Sequence, residues 1–397
     1  MRTARNLIPL LVLALFVMAV FVLLLASALH AEDELTIASV LPLTGPFGPA
    51  GVMGADAQRD CVAIINEEGG INGKKLKYVI EDGQYKIDVA MAAFRKIMSL
   101  DNPMVFFGES TEQAKAIASD MKNRYKMLFG TAGSSSELAD TAMNPYSFVT
   151  GPTYGDQFGI LLKYIAHEKP AAKVAFFYSD TEFGRDPIKF GRLMCNRLRL
   201  KLVAEEVVPP GTKDLTAQIT DLKSQDPDYV IFQGFLYEPV PQVIKACRDL
   251  GMKCKFMGTF YGSTKWMLDK LGPLSEGYLG ISPYMWWWNE EVPMIKKIRD
   301  YTARTYPDVK FRDLNYMRGF MSVLIAAECM RRADRAKELN REGVAKALQT
   351  IKDFDSGGLS APWSIWNNRF PVAKVWSANP EKGIYEPASD WIRLDKY

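Results

Sequence analysis

The segment LPLTGPFGPAGVMGADAQRDCVAIINEEGGINGKK (Leu41–Lys75) sets Gly45, Gly48, Gly51 and Gly54 at every third position, between a strand-like run and a helix-like one. Glycine-rich loops in that position hold phosphate in two well-defined ways. A dinucleotide fingerprint needs GxGxxG directly after the strand, and a P-loop needs GK followed by Ser or Thr. GPFGPAGVMG has neither pattern and carries two prolines. Its glycines are therefore read as a binding loop at the carboxyl end of a strand, where backbone can approach a ligand closely.

Histidine chemistry is nearly absent. Only His30 and His167 occur, and His30 falls at the end of a leader segment described below. His167, in YIAHEKP, sits at the end of a polar helix face, where an exposed side chain is expected and not a catalytic base. A histidine-based metal cluster cannot be assembled, and Cys61, Cys195, Cys247, Cys254 and Cys329 lack the paired spacing of a zinc site. No cofactor is expected. An odd cysteine count in an exported chain cannot pair completely; Cys247 and Cys254 either close a short loop or are two buried thiols.

Short apolar runs alternate with segments of helical period along the chain. LTIASVL, LKYVIE, MVFFG, KMLFG, KVAFFY, KLVAEEVV, YVIFQG and KFMG read as strands. Ala57, Cys61, Ile64 and Ile65 place an apolar stripe on one helix face before the turn signal GGING, and Thr111 to Arg124 and Pro239 to Leu250 are further helical stretches. Such alternation implies parallel sheets with helices on both faces. The run is too long for one sheet, so two doubly wound lobes are expected.

The chain has 397 residues, 48% of them hydrophobic, and a net charge of +3. That length supports two domains, and so small a basic excess gives no reason to expect nucleic acid. At the N-terminus, Arg2 and Arg5 precede an apolar run from Leu7 to Leu25 and then ASA, the order of a secretory signal. An uncleaved anchor is the alternative, because the run approaches the length of a membrane span.

Five strings, LPLTGPFGPAG, INEEGGINGKKLKYVIED, SDTEFGRD, GTKDLTAQITDLKSQDPDYVIFQG and ACRDLGMKCKFMG, follow one another from Leu41 onward. In content and order they resemble the motifs of type I periplasmic binding proteins of ABC importers, in the leucine/isoleucine/valine-binding branch. The resemblance runs from about Leu35 to Trp376. It implies an α/β fold of two Rossmann-like lobes joined by three hinge crossings, with no enzymatic activity. The expected division is a signal peptide over 1–31, one lobe from 32–152 with 283–366, and the other from 153–282 with 367–397. A monomer in the periplasm would close over a small carboxylate and present it to an ABC permease and ATPase complex. The alternatives are a branched-chain or other amino acid-binding protein of the same family and a non-transport ligand sensor on the same fold.

Carried over residue by residue, the resemblance places the carboxylate grip in two loops. GESTEQA supplies a hydroxyl from Ser110 or Thr111; GTAGSSSEL supplies a backbone contact from Ala132 and a hydroxyl from Ser134. Both loops are expected to open helices, whose N-termini favour anions; a capping role is the competing assignment for each serine. The opposite lobe would supply Phe183, then Phe235 or Leu236, with Tyr237 a one-residue insertion. Where the family carries the acid that meets an amino acid's ammonium, this chain has Phe260. A buried ammonium without its counter-charge costs several kcal/mol, so an α-amino acid is disfavoured unless Glu238 or Glu109 replaces the acid. Ala50 stands at the family's ring-bearing position and enlarges the cavity, with Phe47, Tyr154, Phe183, Phe260 and Tyr261 as its walls. An aromatic or other hydrophobic carboxylic acid is the expected ligand. Trp286–Trp288 reach the cleft, pack near the hinge, or face the permease.

Overall fold

A computed structural model describes residues 34–394; the segment assigned as a signal peptide lies outside the described residues. The first sheet is wholly parallel. It orders β2 (Leu76–Asp82), β1 (Leu35–Leu41), β3 (Val105–Gly108), β4 (Leu128–Thr131) and β5 (Ser147–Phe148) side by side. Its inner strands are apolar along their length because both faces are covered. The second sheet runs β12 (Ile384–Pro387), β11 (Val372–Asn379), β10 (Leu279–Ser282), β9 (Lys255–Gly258), β8 (Tyr229–Gln233), β6 (Lys173–Ser179), β7 (Lys201–Val208). β13 (Ile392–Arg393) pairs with β11.

The helices are α1 (Gly48–Glu67), α2 (Ile87–Leu100), α3 (Thr111–Asp120), α4 (Tyr154–Glu168), α5 (Glu182–Arg185) and α6 (Ile188–Arg197). They continue with α7 (Thr216–Gln225), α8 (Val240–Asp249), α9 (Lys265–Leu271), α10 (Pro293–Thr305), α11 (Leu314–Arg335) and α12 (Arg341–Leu348). In α2, Ala90, Ala93, Phe94 and Ile97 are buried at spacings of three, one and three, the stripe that docks it on the sheet. α11 is buried around much of its circumference and packs along α1. A Cβ on Gly319 would lie 2.6 Å from the Gly54 carbonyl oxygen, so the glycine is what lets these helices touch.

The chain passes between the lobes three times: after β5, after β10, and between α12 and β11. α10 to α12 thus return to the first lobe, and β11 to β13 complete the second. The antiparallel pairing of β11 with β10 and β12 was outside the sequence expectation of parallel sheets alone. Trp286 is fully buried, stacked at 4.6 Å on Trp288 and at 5.0 Å on Tyr385 of β12. Trp287 lies under the Arg299 guanidinium of α10 at 5.0 Å and Trp288 also stacks on Phe311 at 6.0 Å, so the tryptophan run packs at the crossing between the lobes. All five cysteines are buried free thiols, Cys247 and Cys254 included, and His167 is exposed at the end of α4.

One sequence expectation is corrected here. Gly48, Gly51 and Gly54 do not form a loop: α1 begins at Gly48, and only Gly45, at φ +80, lies in the connection. A three-residue repeat is equally the spacing of one helix face.

Candidate functional site

Parallel strands place the loops after β1, β3 and β4 opposite those after β6, β8 and β9, at the carboxyl ends of both sheets. The two lobes are closed upon each other. Lys115 of α3 meets Glu182 of α5 at 2.7 Å. Asp186 accepts from the Ser135 hydroxyl at 2.7 Å and from the Ser136 hydroxyl at 2.8 Å. The Tyr237 hydroxyl donates to the Pro46 carbonyl at 3.1 Å, and that of Tyr261 donates to the Ala132 carbonyl.

Between the lobes lie two chambers. The outer, of about 490 Å³, is walled by Phe47 and Tyr85 of the first lobe and by Phe183, Phe235, Leu236 and Tyr237 of the second. The inner, of about 60 Å³, is lined by Ala50, Gly51, Glu109, Ala132, Tyr261 and Arg318, among others. Tyr261 separates them: it lines the inner chamber and meets Phe183 edge-on at 5.5 Å. Tyr85 does likewise, its ring stacked on Phe47 at 3.9 Å while its backbone N–H donates to Glu109 at 3.2 Å.

The structure thus brings Phe47, Phe183, Phe235 and Tyr237 to the outer chamber and Ala50, Ala132 and Tyr261 to the inner one. Tyr154 backs Phe183 at 4.9 Å, and Phe260 packs against Tyr261 at 5.2 Å and Tyr284 at 5.9 Å, each one layer behind the chamber walls. Glu238 is exposed at the rim of the outer chamber, whereas Glu109 is buried at the inner one.

The two expected anion loops differ from their sequence reading. The first does open a helix, and Ser110 caps it by accepting from the Gln113 N–H at 3.1 Å. The second opens only a three-residue 3₁₀ turn, Glu137–Ala139, too short for a useful dipole. Two of its donors are occupied, the Ala132 N–H by the Gly108 carbonyl and the Gly133 N–H by the Thr131 hydroxyl, and Ser134 is buried with its carbonyl accepting from the Tyr154 N–H. The Thr111 hydroxyl, by contrast, is buried without a hydrogen-bond partner.

Arg318 escaped the sequence reading. It extends from α11 beneath the β4 loop, donates to the Thr131 carbonyl at 2.6 Å and to the Tyr261 hydroxyl, and is almost fully buried. The signal was present: one arginine in the otherwise apolar run YMRGFM, inside a helix buried on many sides.

Burial pushes the Glu109 carboxyl up to about 7; the Tyr85 N–H opposes this and the charge of Asp82 adds to it. Between pH 4.5 and 7 the unfolded chain releases this proton while the folded chain keeps it. Stability then falls as pH rises through that window. Glu109→Gln removes the titration. The variant should match wild type near pH 4.5 and exceed it by about 3 kcal/mol at pH 8, in denaturant titrations at both values. A gain that does not change with pH would exclude Glu109 as the group responsible.

Residues 34–383 match the model of a family described as periplasmic binding protein. The chain is 26% identical to an "Amino acid binding protein" of Pseudomonas aeruginosa, over 57% of this chain and 61% of that one. It therefore spans less than two thirds of that relative's length. Among solved structures, it superposes with TM-score 0.82 and 23% identity on a "branched chain amino acid ABC transporter from Thermus thermophilus with bound valine", covering 92% of this chain and 97% of that one. A "Fatty acid ABC transporter substrate-binding protein from Thermomonospora curvata" matches with TM-score 0.78 and 18% identity, over 92% and 94%. At these identities the two structures support the two-lobed fold.

Proposed function

The chain belongs to the periplasmic binding protein family, and from that premise we propose that it is the extracytoplasmic substrate-binding component of an ABC importer. Its ligand is a small carboxylate with an aromatic or other hydrophobic body, captured as the lobes close and handed to a permease. Closure of this kind requires a ligand that contacts both lobes, so that the closed form binds it better than the open one.

The observation that carries the ligand assignment is the outer chamber, whose walls are rings contributed by both lobes. Apolar walls with polar groups gathered at one end suit a hydrophobic body bearing one polar head. The place expected to hold an acid for an ammonium group is taken by the Phe260 ring, packed among Tyr261 and Tyr284. The name of the Thermomonospora protein agrees with a hydrophobic acid on this fold.

A second reading, a branched-chain amino acid, is favoured by Glu109, which lines the inner chamber, and by the names of the Pseudomonas and Thermus proteins. Burial holds its proton up to about pH 7, a value that an ammonium placed beside it would lower. A thermal-shift screen of aromatic acids, aliphatic acids and amino acids separates the two readings. The melting point should rise with hydrophobic acids, because a ligand that binds only the folded state stabilises it. A rise confined to branched-chain amino acids overturns the first reading. No helix among the described residues is long and apolar enough to cross a membrane.

A further inference from the structure

Among the described residues Arg312 and Arg318 are the buried arginines and Arg369 is partly buried; Arg312 and Arg369 face carboxylates. Arg312 meets Asp60 at 3.2 Å and Asp56 at 3.1 Å, and Arg369 meets Asp156 at 2.6 Å. Arg318, only 6% exposed, differs. Its hydrogen bonds go to neutral oxygens: the Tyr261 hydroxyl, the Thr131 carbonyl at 2.6 Å and the Gly133 carbonyl at 3.4 Å. Its other close neighbours are the rings of Phe260 and Tyr261, with centroids at 5.8 Å and 5.4 Å. Among the described residues no carboxylate lies within ion-pairing distance of it. Glu109, which shares the inner chamber, is engaged by the Tyr85 N–H instead.

A guanidinium does not give up its proton in a protein, so this charge cannot be neutralised in place. Ring faces and carbonyls compensate only part of the water it has lost. A planar fork of donors at the inner end of a binding cleft is the geometry that recognises a carboxylate in bidentate fashion. The hydroxyl now on that fork belongs to Tyr261, from the opposite lobe.

We infer that Arg318 receives the ligand's carboxylate, with the Tyr261 hydroxyl occupying that place until the ligand arrives. This rests on the carboxylate reading above. As Tyr261 leaves the guanidinium, the inner and outer chambers join. The acid head then lies at Arg318 and the hydrophobic body between Phe47, Tyr85 and Phe183. The charge contrast also couples capture to closure, because the cation is compensated only when the anion is shut in with it.

The test is calorimetric titration of the full chain with benzoate, phenylacetate and octanoate, each beside its primary amide. The wild type should prefer the acid. In Arg318→Gln the acid should weaken roughly 100-fold while the amide changes little, so the acid-to-amide ratio collapses. A loss of fold would weaken both alike and leave the ratio unmoved. Arg318→Lys, which keeps the charge and loses the fork, should fall between, and Tyr261→Phe should bind the acid at least as tightly as wild type. Acid affinity within about threefold of wild type in Arg318→Gln overturns the inference and leaves the carboxylate reading standing. A wild type that binds no acid of the panel but does bind leucine overturns that reading, and the inference with it.

Discussion

Arg369→Ala should lower folding stability by about 3–5 kcal/mol, read as a fall in the denaturation midpoint. Arg369 lies in the third crossing, where its Nε and Nη2 reach the two oxygens of Asp156 at 2.6 Å and 3.1 Å. Asp156 is itself the acidic member of a capping box that starts α4: it accepts from the Thr153 N–H at 2.9 Å while the Thr153 hydroxyl accepts from the Asp156 N–H at 3.1 Å. The pair joins two of the three crossings, and Asp156 is 4% exposed. Removing the arginine leaves a carboxylate out of water with only neutral donors, the costly half of a broken buried pair. Two companions sharpen the expectation. Arg369→Lys should recover part of the loss, since it restores charge but not the fork. Asp156→Asn added to Arg369→Ala should recover roughly half, since it removes the stranded charge. A loss below about 1 kcal/mol in the single variant would place the pair with solvent-screened surface bridges.

The same crossing marks where the sequence stopped being legible. Strands β1, β3 and β8 fall within a residue of their apolar runs, because a strand covered on both faces is apolar along nearly its whole length. β5 and β13 have two residues each, too few for any period, and β10 and β12 have four each. Their partners are set by tertiary position: β11 pairs with β10 across an excursion of about ninety residues through the other lobe. The site divides the same way. Phe47, Phe183, Phe235 and Tyr237 lie in the short segments that follow strands, whose position the fold dictates, so motif order alone brings them to the cleft. Arg318 sits on a helix nearly two hundred residues beyond the Thr131 carbonyl it meets. Nothing local says which face of α11 it occupies. Only the approach of Gly319 to Gly54 turns that face toward the cleft.

That approach bears on the glycine repeat as well, and it makes a second strong prediction. Gly51→Val should destabilise the fold by about 3 kcal/mol or more, whereas Gly54→Ala should be neutral or stabilising by up to about 1 kcal/mol. Both glycines lie within α1, where alanine is intrinsically the better helix former. What differs is the space. A Cβ on Gly51 would stand 2.0 Å from the Pro42 carbonyl oxygen and 2.6 Å from its carbon, while one on Gly54 meets only the Leu41 Cδ1 at 3.7 Å, an ordinary contact. Pro42 cannot yield by rotating φ. The turn behind it is also pinned, because the Leu43 N–H donates to Asp82 at 2.9 Å and the Thr44 hydroxyl at 2.6 Å. Valine must therefore push α1 off the end of β1, and α1 carries Ala50 at the inner chamber. Ligand affinity should fall together with stability in Gly51→Val. If thermal melts show Gly51→Val as stable as wild type, the turn at Pro42 is not fixed, and the glycine repeat needs another physical explanation.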